Sequence, residues 1–421
     1  MIKREIYEAL KEHLTKKQIT VLIGPRQVGK TTLIEMLMAD EQLQGTQTLY
    51  FNLDDDTDTT HFTSQQQLLK KLDLELGHQP ATIFIDEIQR KENAGKFLKG
   101  IYDKATPYKF VVTGSGSMEL KASLSESLAG RKRVFFIAPI SFMEFFNYRT
   151  SYKYEGKFLT YAEVETQQLD YYLLEYISFG GYPEVILAHT QKEKRAVIQE
   201  LFSSYLSKDI ISLLAVSDRA AFVLMLKLLA DRQGQPINFT GLANDINISR
   251  NTLMKYLYFA EETYVIRSLN PYFNNVGKEL TKAPQYYFID LGFRNFAIGQ
   301  FTQLIDKDPR LGFSFQAFIY HILYSISQRN GWSLHYWRTR DQAEVDFVIN
   351  RVSEVYPVEV KSRASKLPKM SRSLLSFCEK YTVQKATIVS RHPERFNDAS
   401  RSPVHLEPWW QLLSGAVIPE L

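Results

Sequence analysis

The apolar positions of the chain follow two rhythms. Short β-branched runs, each bounded by polar or glycine-containing turns, open "ITVLIGPRQVGKTTLIEML", "ATIFIDEIQR" and "YKFVVTGSGS", and a run of this kind predicts a buried strand. In the first of these the strand passes through a glycine loop into a helix, and "SLAGRKRVFFIAPISFMEF" leads into a further strand. From about Ser151 the rhythm changes. "TQQLDYYLLEYISFGGYPEVI" and "IQELFSSYLSKDIISLL" space their apolar residues three and four apart, which predicts helices, with Gly180, Gly181 and Pro183 marking a tight junction between them. The tyrosines of this stretch read as core. "INFTGLANDINISRNTLMKYLYFAEETYVIRSLNPY" reads as helix, turn, helix and strand, with Leu242, Ile246, Leu253 and Leu257 facing inward and Ser249 as an N-cap. Near the end, "EVDFVINRVSEVYPVEVK" gives two short alternating strands reversed by "NRVSE".

Composition changes this picture little. At 421 residues the chain is too long for one core and predicts roughly two to four domains. Its 44% hydrophobic and 23% charged content is that of a folded chain and excludes extensive disorder. The formal charge of +4 is compatible with nucleic acid without requiring it. A single cysteine, Cys378, excludes an intramolecular disulfide and fits a reducing compartment. The opening "MIKREIYEALKEHL" is a mixed-charge amphipathic helix rather than a secretion signal, and "VFFIAPISFMEFF", broken by Pro139 and Glu144, is too short for a membrane span. A cytoplasmic location is expected.

The first strand carries the clearest chemistry. Gly24, Gly29, Lys30 and Thr31 match G-x-x-x-x-G-K-[ST] between a strand and a helix, so Gly24, Pro25, Arg26, Gln27, Val28, Gly29, Lys30, Thr31 and Thr32 form the candidate ATP-binding loop. Glycines let backbone N–H groups face phosphate, and the positive helix end follows them. Lys30 would neutralise the β- and γ-phosphates, and Thr31 would hold Mg2+. Asp86, at the end of a later buried strand, would hold the water shell of the magnesium, and its neighbour Glu87 would orient or deprotonate the attacking water. Thr113 and Ser115 sit where a γ-phosphate sensor would lie, and equally suit a turn. Arg131, with Arg133 nearby, is a candidate arginine finger toward a neighbouring subunit, or part of a solvated basic cluster.

The ordered motifs "GPRQVGKTT", "YFNLDD", "IDEIQR", "TGSGS", "LAGR", "PISFMEF" and "GGYPEV" resemble those of a prokaryotic family of AAA+-type, archaeal-type P-loop ATPases with a C-terminal domain of unknown function. The similarity covers nearly the whole chain. It implies an α/β ATPase core and assembly into a ring or other homo-oligomer, such as a hexamer.

The remaining chemistry lies in the second half. "NNVG" followed by "PQYYFID" would complete a winged-helix hairpin, and Arg250, Asn251 and Lys255 on the outer face of its second helix suit contacts with DNA; winged helices also bind proteins. In the terminal hairpin Glu344 and Asp346 share a face, as do Glu359 and Lys361, with Val345, Phe347, Val358 and Val360 opposite. Asp346 and Glu359 would pair to hold Mg2+, with Lys361 beside them. The arrangement resembles the PD-(D/E)xK nuclease pattern, to which the family's C-terminal domain is thought to be related. Where the resemblance implies glutamate, in "LGFSFQAFIYHILY", this chain has Gln316, which removes a charge that Glu344 could restore.

The sequence therefore predicts an α/β protein with an AAA+-like P-loop core over residues 1–147, a helical lid over 148–215, a winged-helix domain over 216–300 and an α/β nuclease-like domain over 301–421. The expected activity is ATP hydrolysis coupled to work on DNA, branched or broken DNA in repair or recombination included. The alternatives are a nucleotide-dependent signalling or defence switch that binds a protein partner, and an ATP-licensed, Mg2+-dependent nuclease.

Overall fold

Strand β1 (Ile19–Gly24) lies within a five-stranded sheet with β2 (Gln47–Asn52), β3 (Ala81–Asp86), β4 (Tyr108–Ser115) and β5 (Lys132–Phe136), in the order β2-β3-β4-β1-β5. Every pairing in it is parallel. Parallel strands need crossover connections that cover both faces, which is why their sequences read as unbroken apolar runs. Val21, Ile83 and Val112 pack on one face beneath the helices Gln65–Leu76 and Ala94–Tyr102, and Leu22, Phe84 and Val111 pack on the other against the helix Lys30–Leu43. Strand β4 separates β1 from β3, so the glycine loop and the acidic pair Asp86-Glu87 leave the same edge one strand apart. A computed structural model describes residues 1–104, 106–115, 126–212, 218–273, 283–339, 341–351, 354–363, 371–383, 385–392 and 404–414. Among them no helix is long and apolar enough to cross a membrane.

Helices follow the sheet. Phe142–Arg149 starts on a reciprocal cap between Ser141 and Glu144, and Thr166–Phe179, Pro183–Leu187 and Gln191–Ser204 come after it. A second helical group, Arg219–Asp231, Phe239–Asp245 and Arg250–Glu262, buries Leu242, Ile246, Leu253 and Leu257, and the Ser249 side chain accepts from the Thr252 N–H as its N-cap. The antiparallel pair β6 (Ile266–Leu269) and β7 (Gln285–Phe288) completes it, with Pro236 bridged to Gln285. The expected "NNVG" turn reaches outside the described residues.

The last part forms a mixed sheet, β12-β11-β10-β9-β8, from β8 (Ser333–Arg338), β9 (Glu344–Asn350), β10 (Val355–Lys361), β11 (Ala386–Ser390) and β12 (Val404–Pro408). β9 and β10 are the antiparallel hairpin read from the sequence, and β11 and β12 add in parallel. The helix Leu311–Arg329 belongs to the core on one side of this sheet, and Arg372–Tyr381 to the core on the other. Glu359 is only 6% exposed, because helices cover both sides.

The parts are bound together through buried polar contacts. Gly180 is left-handed (φ +78°), and a Cβ there would meet Asp290 Oδ1 at 2.3 Å. Asp290 Oδ2 accepts from the Gly181 N–H at 2.6 Å, while Oδ1 accepts from the Phe293 N–H at 2.7 Å and so caps the helix Leu291–Ala297. The Gly181 carbonyl accepts from the Ile140 N–H at 2.7 Å, which ties the same junction to the segment after β5. Arg391, whose side chain is 1% exposed, reaches Asp306 and Asp170 at 2.7 Å each. The chain leaving β6 also joins the third part, since Tyr272 N–H donates to the Tyr336 carbonyl of β8 at 2.6 Å.

Burial pushes the Asp290 carboxyl up to about 6, against the pull of the N–H groups of Gly181, Phe293 and Gly292. An acid whose folded pKa is raised holds its proton longer in the folded state, so this contribution to stability falls as pH rises from about 4 through about 6. The stability advantage of the wild type over Asp290→Asn is expected to shrink by roughly 3 kcal/mol between pH 3 and pH 7, at about 1.36 kcal/mol per pKa unit. Urea denaturation of both proteins across that range measures it, and a pH-independent difference would remove the raised pKa from the account.

Candidate nucleotide site

The glycine loop is shaped by two residues at its ends. A Cβ on Gly24 would stand 2.2 Å from the Ile137 carbonyl oxygen, so only glycine lets β1 turn beneath that segment. Gly29 is left-handed (φ +93°) and stands at the N-cap of Lys30–Leu43. Between them Gln27 takes φ 58°, a conformation that non-glycine residues rarely hold. Val28 is fully buried, and its carbonyl accepts from Arg4 Nη1 at 2.8 Å. Lys30 is 6% exposed and donates to the carbonyls of Pro25 at 2.7 Å and Gly24 at 3.2 Å, which holds its ammonium within the loop.

Asp86 is the hub of the acidic side. At 3% exposure it accepts from Thr31 Oγ1 at 2.7 Å and from the Tyr50 hydroxyl at 3.3 Å on one oxygen, and from Thr113 Oγ1 on the other. Thr113 is fully buried in the central strand and faces Asp86, so its contact is with the carboxylate expected to serve the metal. Ser115 stands opposite Gly24 in the β1–β4 pairing. Glu87 takes the left-handed conformation (φ 56°), and its N–H reaches Asp86 Oδ1 at 3.1 Å and Thr113 Oγ1 at 3.2 Å. Strained backbone of this kind persists where surrounding contacts over-determine it. Its carboxylate accepts from Gln89 Nε2, and Glu87 lines a cavity of about 520 Å³ together with Gln27, Gly29, Lys30 and Thr31.

Sequence reasoning missed the other walls of this cavity. Ile2 and Ile140 line it, as do Pro183, Glu184 and Leu187 of the "GGYPEV" segment and its continuation, so the helical part closes directly over the loop. Arg4 was missed as well. It pairs with Glu144 at 3.0 Å, both side chains being under 10% exposed, and donates to the Ala138 carbonyl at 2.6 Å in addition to that of Val28. Glu144 closes a reciprocal cap with Ser141 and in addition pairs with Arg4, a contact from a distant part of the chain. The residue types fit a nucleotide with Mg2+, since a hydroxyl and a carboxylate already meet at 2.7 Å beside a buried lysine.

Arg131 lies elsewhere. Its carbonyl accepts from the Ile19 N–H at the start of β1, so it stands at the opposite end of the sheet from the loop, about 20 Å away for a six-residue strand. Its guanidinium pairs with Asp103 at 2.7 Å. Nothing in this arrangement lets it reach the nucleotide cavity of its own chain.

The helix Arg250–Glu262 leaves Arg250, Asn251 and Lys255 exposed, together with Met254 (39%) and Tyr258 (48%). In the terminal sheet, Gln316 Nε2 donates to Asp346 Oδ1 at 2.6 Å and the Val360 N–H donates to Asp346 Oδ2 at 2.7 Å. Burial pushes the Asp346 carboxyl up to about 7, with Glu359 and Glu344 adding to the shift, and burial also raises that of Glu344, which stands 3.5 Å from Arg338. Glu359 instead accepts from Ser371 Oγ at 2.7 Å and pairs with Lys361 at 2.5 Å. The two carboxylates are thus engaged by different elements, and no group of three or more His, Cys, Asp or Glu residues suited to a metal is present among the described residues.

Comparison with known proteins finds three family matches along the chain. Residues 16–146 match the model of a family described as an AAA domain, residues 170–304 one described as a domain of unknown function, and residues 311–408 another of unknown function. An uncharacterised protein of Mycobacterium tuberculosis is 27% identical over 396 residues, covering 94% of this chain and 81% of that protein. One of Haemophilus influenzae is 24% identical over 423 residues, covering 97% and 98%. A solved structure of the replication initiator DnaA bound to AMPPCP and single-stranded DNA aligns over 62% of this chain and 90% of that one, at 14% identity and a TM-score of 0.27, too low to carry an argument. The N-terminal part of this chain is similar to AAA-type P-loop ATPase domains, and the parts that follow it are similar to domains whose function is unknown.

Proposed function

We propose that the protein is an AAA+-type ATPase that hydrolyses ATP to act on DNA. The observation that carries the reading is the contact of Thr31 with Asp86 at 2.7 Å beside the buried ammonium of Lys30, in a cavity that also receives Glu87. In this reading the N–H groups of the loop and Lys30 bind and neutralise the phosphates, and Thr31 and Asp86 hold Mg2+. When bound, the ion supplies charge stabilisation at the phosphoryl oxygens. Glu87 accepts the proton of the attacking water, its position fixed by Gln89 and by the two hydrogen bonds of its own backbone N–H. Thr113 holds Asp86 in place. Arg131 serves the site of a neighbouring subunit in a ring or other homo-oligomer, which agrees with its distance from its own cavity.

DNA enters the proposal through the second half of the chain. Three helices followed by an antiparallel strand pair, with Pro236 bridged to β7, support reading this part as a winged helix. Its second helix after the turn carries exposed Arg250, Asn251 and Lys255, types that suit phosphates and base edges. The hairpin with Asp346, Glu359 and Lys361 supports a nuclease-like fold for the last part. The occupied oxygens of Asp346 and the charge missing at Gln316 argue against strong metal-dependent cleavage there.

Lys30→Ala is expected to abolish nucleotide binding, whereas Glu87→Gln retains binding and loses turnover by roughly 10²- to 10⁴-fold. Equilibrium binding of a fluorescent ATP analogue and steady-state phosphate release separate the two, and unchanged turnover in Glu87→Gln would assign the water to another group. Arg131→Ala should bind ATP normally but hydrolyse it poorly, and mixing it with Lys30→Ala should restore part of the activity. Failure of rescue in assemblies demonstrated to mix would exclude a shared site. On DNA, replacing both Arg250 and Lys255 by alanine should weaken duplex binding and reduce the slope of log K against log salt by about 2, since each side chain neutralises one phosphate. Anisotropy titrations over a salt series give that slope, and an unaltered slope places the phosphate-binding groups on another surface.

A further inference from the structure

The cleft beside Asp346, about 470 Å³, has side chains that the nuclease-like residues do not account for. Phe313, in the first turn of Leu311–Arg329, is 50% exposed at the cleft, although the same helix buries Phe315 and Phe318 almost completely. Arg363, exposed and with no ion-pair partner among the described residues, lines the same space, as do Arg338 and the Glu344 carboxylate that it faces at 3.5 Å. The far wall is the loop Gly234–Pro236 from the three-helix part. Gly234 is left-handed (φ +77°), and a Cβ there would come within 3.1 Å of Gln316 Oε1, so the wall is seated directly on the floor of the cleft. On that floor both oxygens of Asp346 are held by protein donors, Gln316 Nε2 and the Val360 N–H.

We propose that this cleft grips one unpaired nucleotide of single-stranded DNA without cutting it, the base stacking on Phe313 and the phosphate bridged by Arg363 and Arg338. The inference rests on the reading of DNA as the substrate. An aromatic face left in water stacks any base, and guanidinium groups bind phosphate through paired N–H donors. The volume lies within the range of about 300–1,000 Å³ that encloses ligands of this size. Cleavage would require Asp346 to exchange its two protein donors for a metal, whereas stacking leaves both bonds in place. The wall loop joins the helix Arg219–Asp231 to Phe239–Asp245, and the next helix carries Arg250 and Lys255. A duplex on that helix and an unpaired end in the cleft are then held by one continuous unit, which suits DNA that passes from double- to single-stranded.

The test uses the full chain and a duplex whose single-stranded overhang ends in 5-iododeoxyuridine, a photo-crosslinker that favours aromatic side chains. Irradiation followed by peptide mapping is expected to place the crosslink on Phe313. Phe313→Ala should lower affinity for a short oligothymidine by roughly 5- to 100-fold, Phe313→Tyr should retain it, and Arg363→Ala should lower it in a salt-dependent manner. Blunt duplex binding and ATP hydrolysis should be unchanged in all three, which also demonstrates an intact fold. Normal oligothymidine affinity in Phe313→Ala, with blunt duplex still bound, overturns the cleft assignment and leaves DNA as the substrate. Absence of binding to any DNA, in protein that binds ATP, overturns both. A phosphopeptide carrying its own photoreactive group that crosslinks at Phe313, where the oligonucleotide does not, would also overturn the cleft assignment.

Discussion

One buried carboxylate, Asp290, holds together the parts of the chain on which the proposed activity depends. It receives N–H groups from the glycine junction Gly180-Gly181 and from the first turn of the helix it caps. The junction in turn receives the Ile140 N–H from the segment leaving β5. Pro183 and Leu187, a few residues beyond the junction, form a wall of the nucleotide cavity. A change in what fills that cavity therefore has a short covalent route to the Asp290 contact and to the three-helix part packed behind it. Because a buried charge stripped of its donors costs several kcal/mol, the junction is better suited to moving as a unit than to breaking.

A second buried contact fixes the floor of the nucleotide cavity. Arg4 joins the Val28 carbonyl, the Ala138 carbonyl and Glu144 in one set of bonds with almost no exposure to water. Removing one member of such a pair strands the other, at a cost of roughly 3–5 kcal/mol. Glu144 therefore does two things: it closes the cap of its own helix, and it anchors the residue that steadies the glycine loop. The strained backbone of Gln27 stands next to Val28, where these contacts can hold it.

The proposed chemistry of the two ends of the chain differs because the carboxylates differ in their neighbours. Asp86 meets hydroxyl groups from Thr31, Thr113 and Tyr50, as well as the Glu87 N–H, beside an open cavity that receives Lys30. Asp346 meets an amide side chain and a backbone N–H at the half-buried floor of the second cleft, where burial raises its pKa toward neutrality. A hydroxyl oxygen can itself bind a metal beside the carboxylate, whereas an amide N–H offers it no ligand. Two aspartates on strands thus lead to different expectations.

The local features were legible in the sequence because each is set by neighbours along the chain. The strand–loop–helix of Gly24 to Thr31, the strand ending in Asp86, the Ser249 cap with its inward leucines, and the hairpin of β9 and β10 all follow from short-range periodicity and turn chemistry. What depends on distant chain segments was not legible. Periodicity says which side of a strand a residue occupies, but not what covers that side, so the burial of Glu359 beneath added helices and its bond from Ser371 could not be read. Nor could it show that Arg4 would brace Val28, that Leu187 would wall the nucleotide cavity, or that Thr113 would turn to Asp86. Arg131 had a legible charge, but its place at the far end of β1 came only from the parallel order of the sheet. Sequence determined the chemistry each segment carries; the packing of remote segments decided which of those groups meet, because contact across the fold is stabilised by burial that no local pattern encodes.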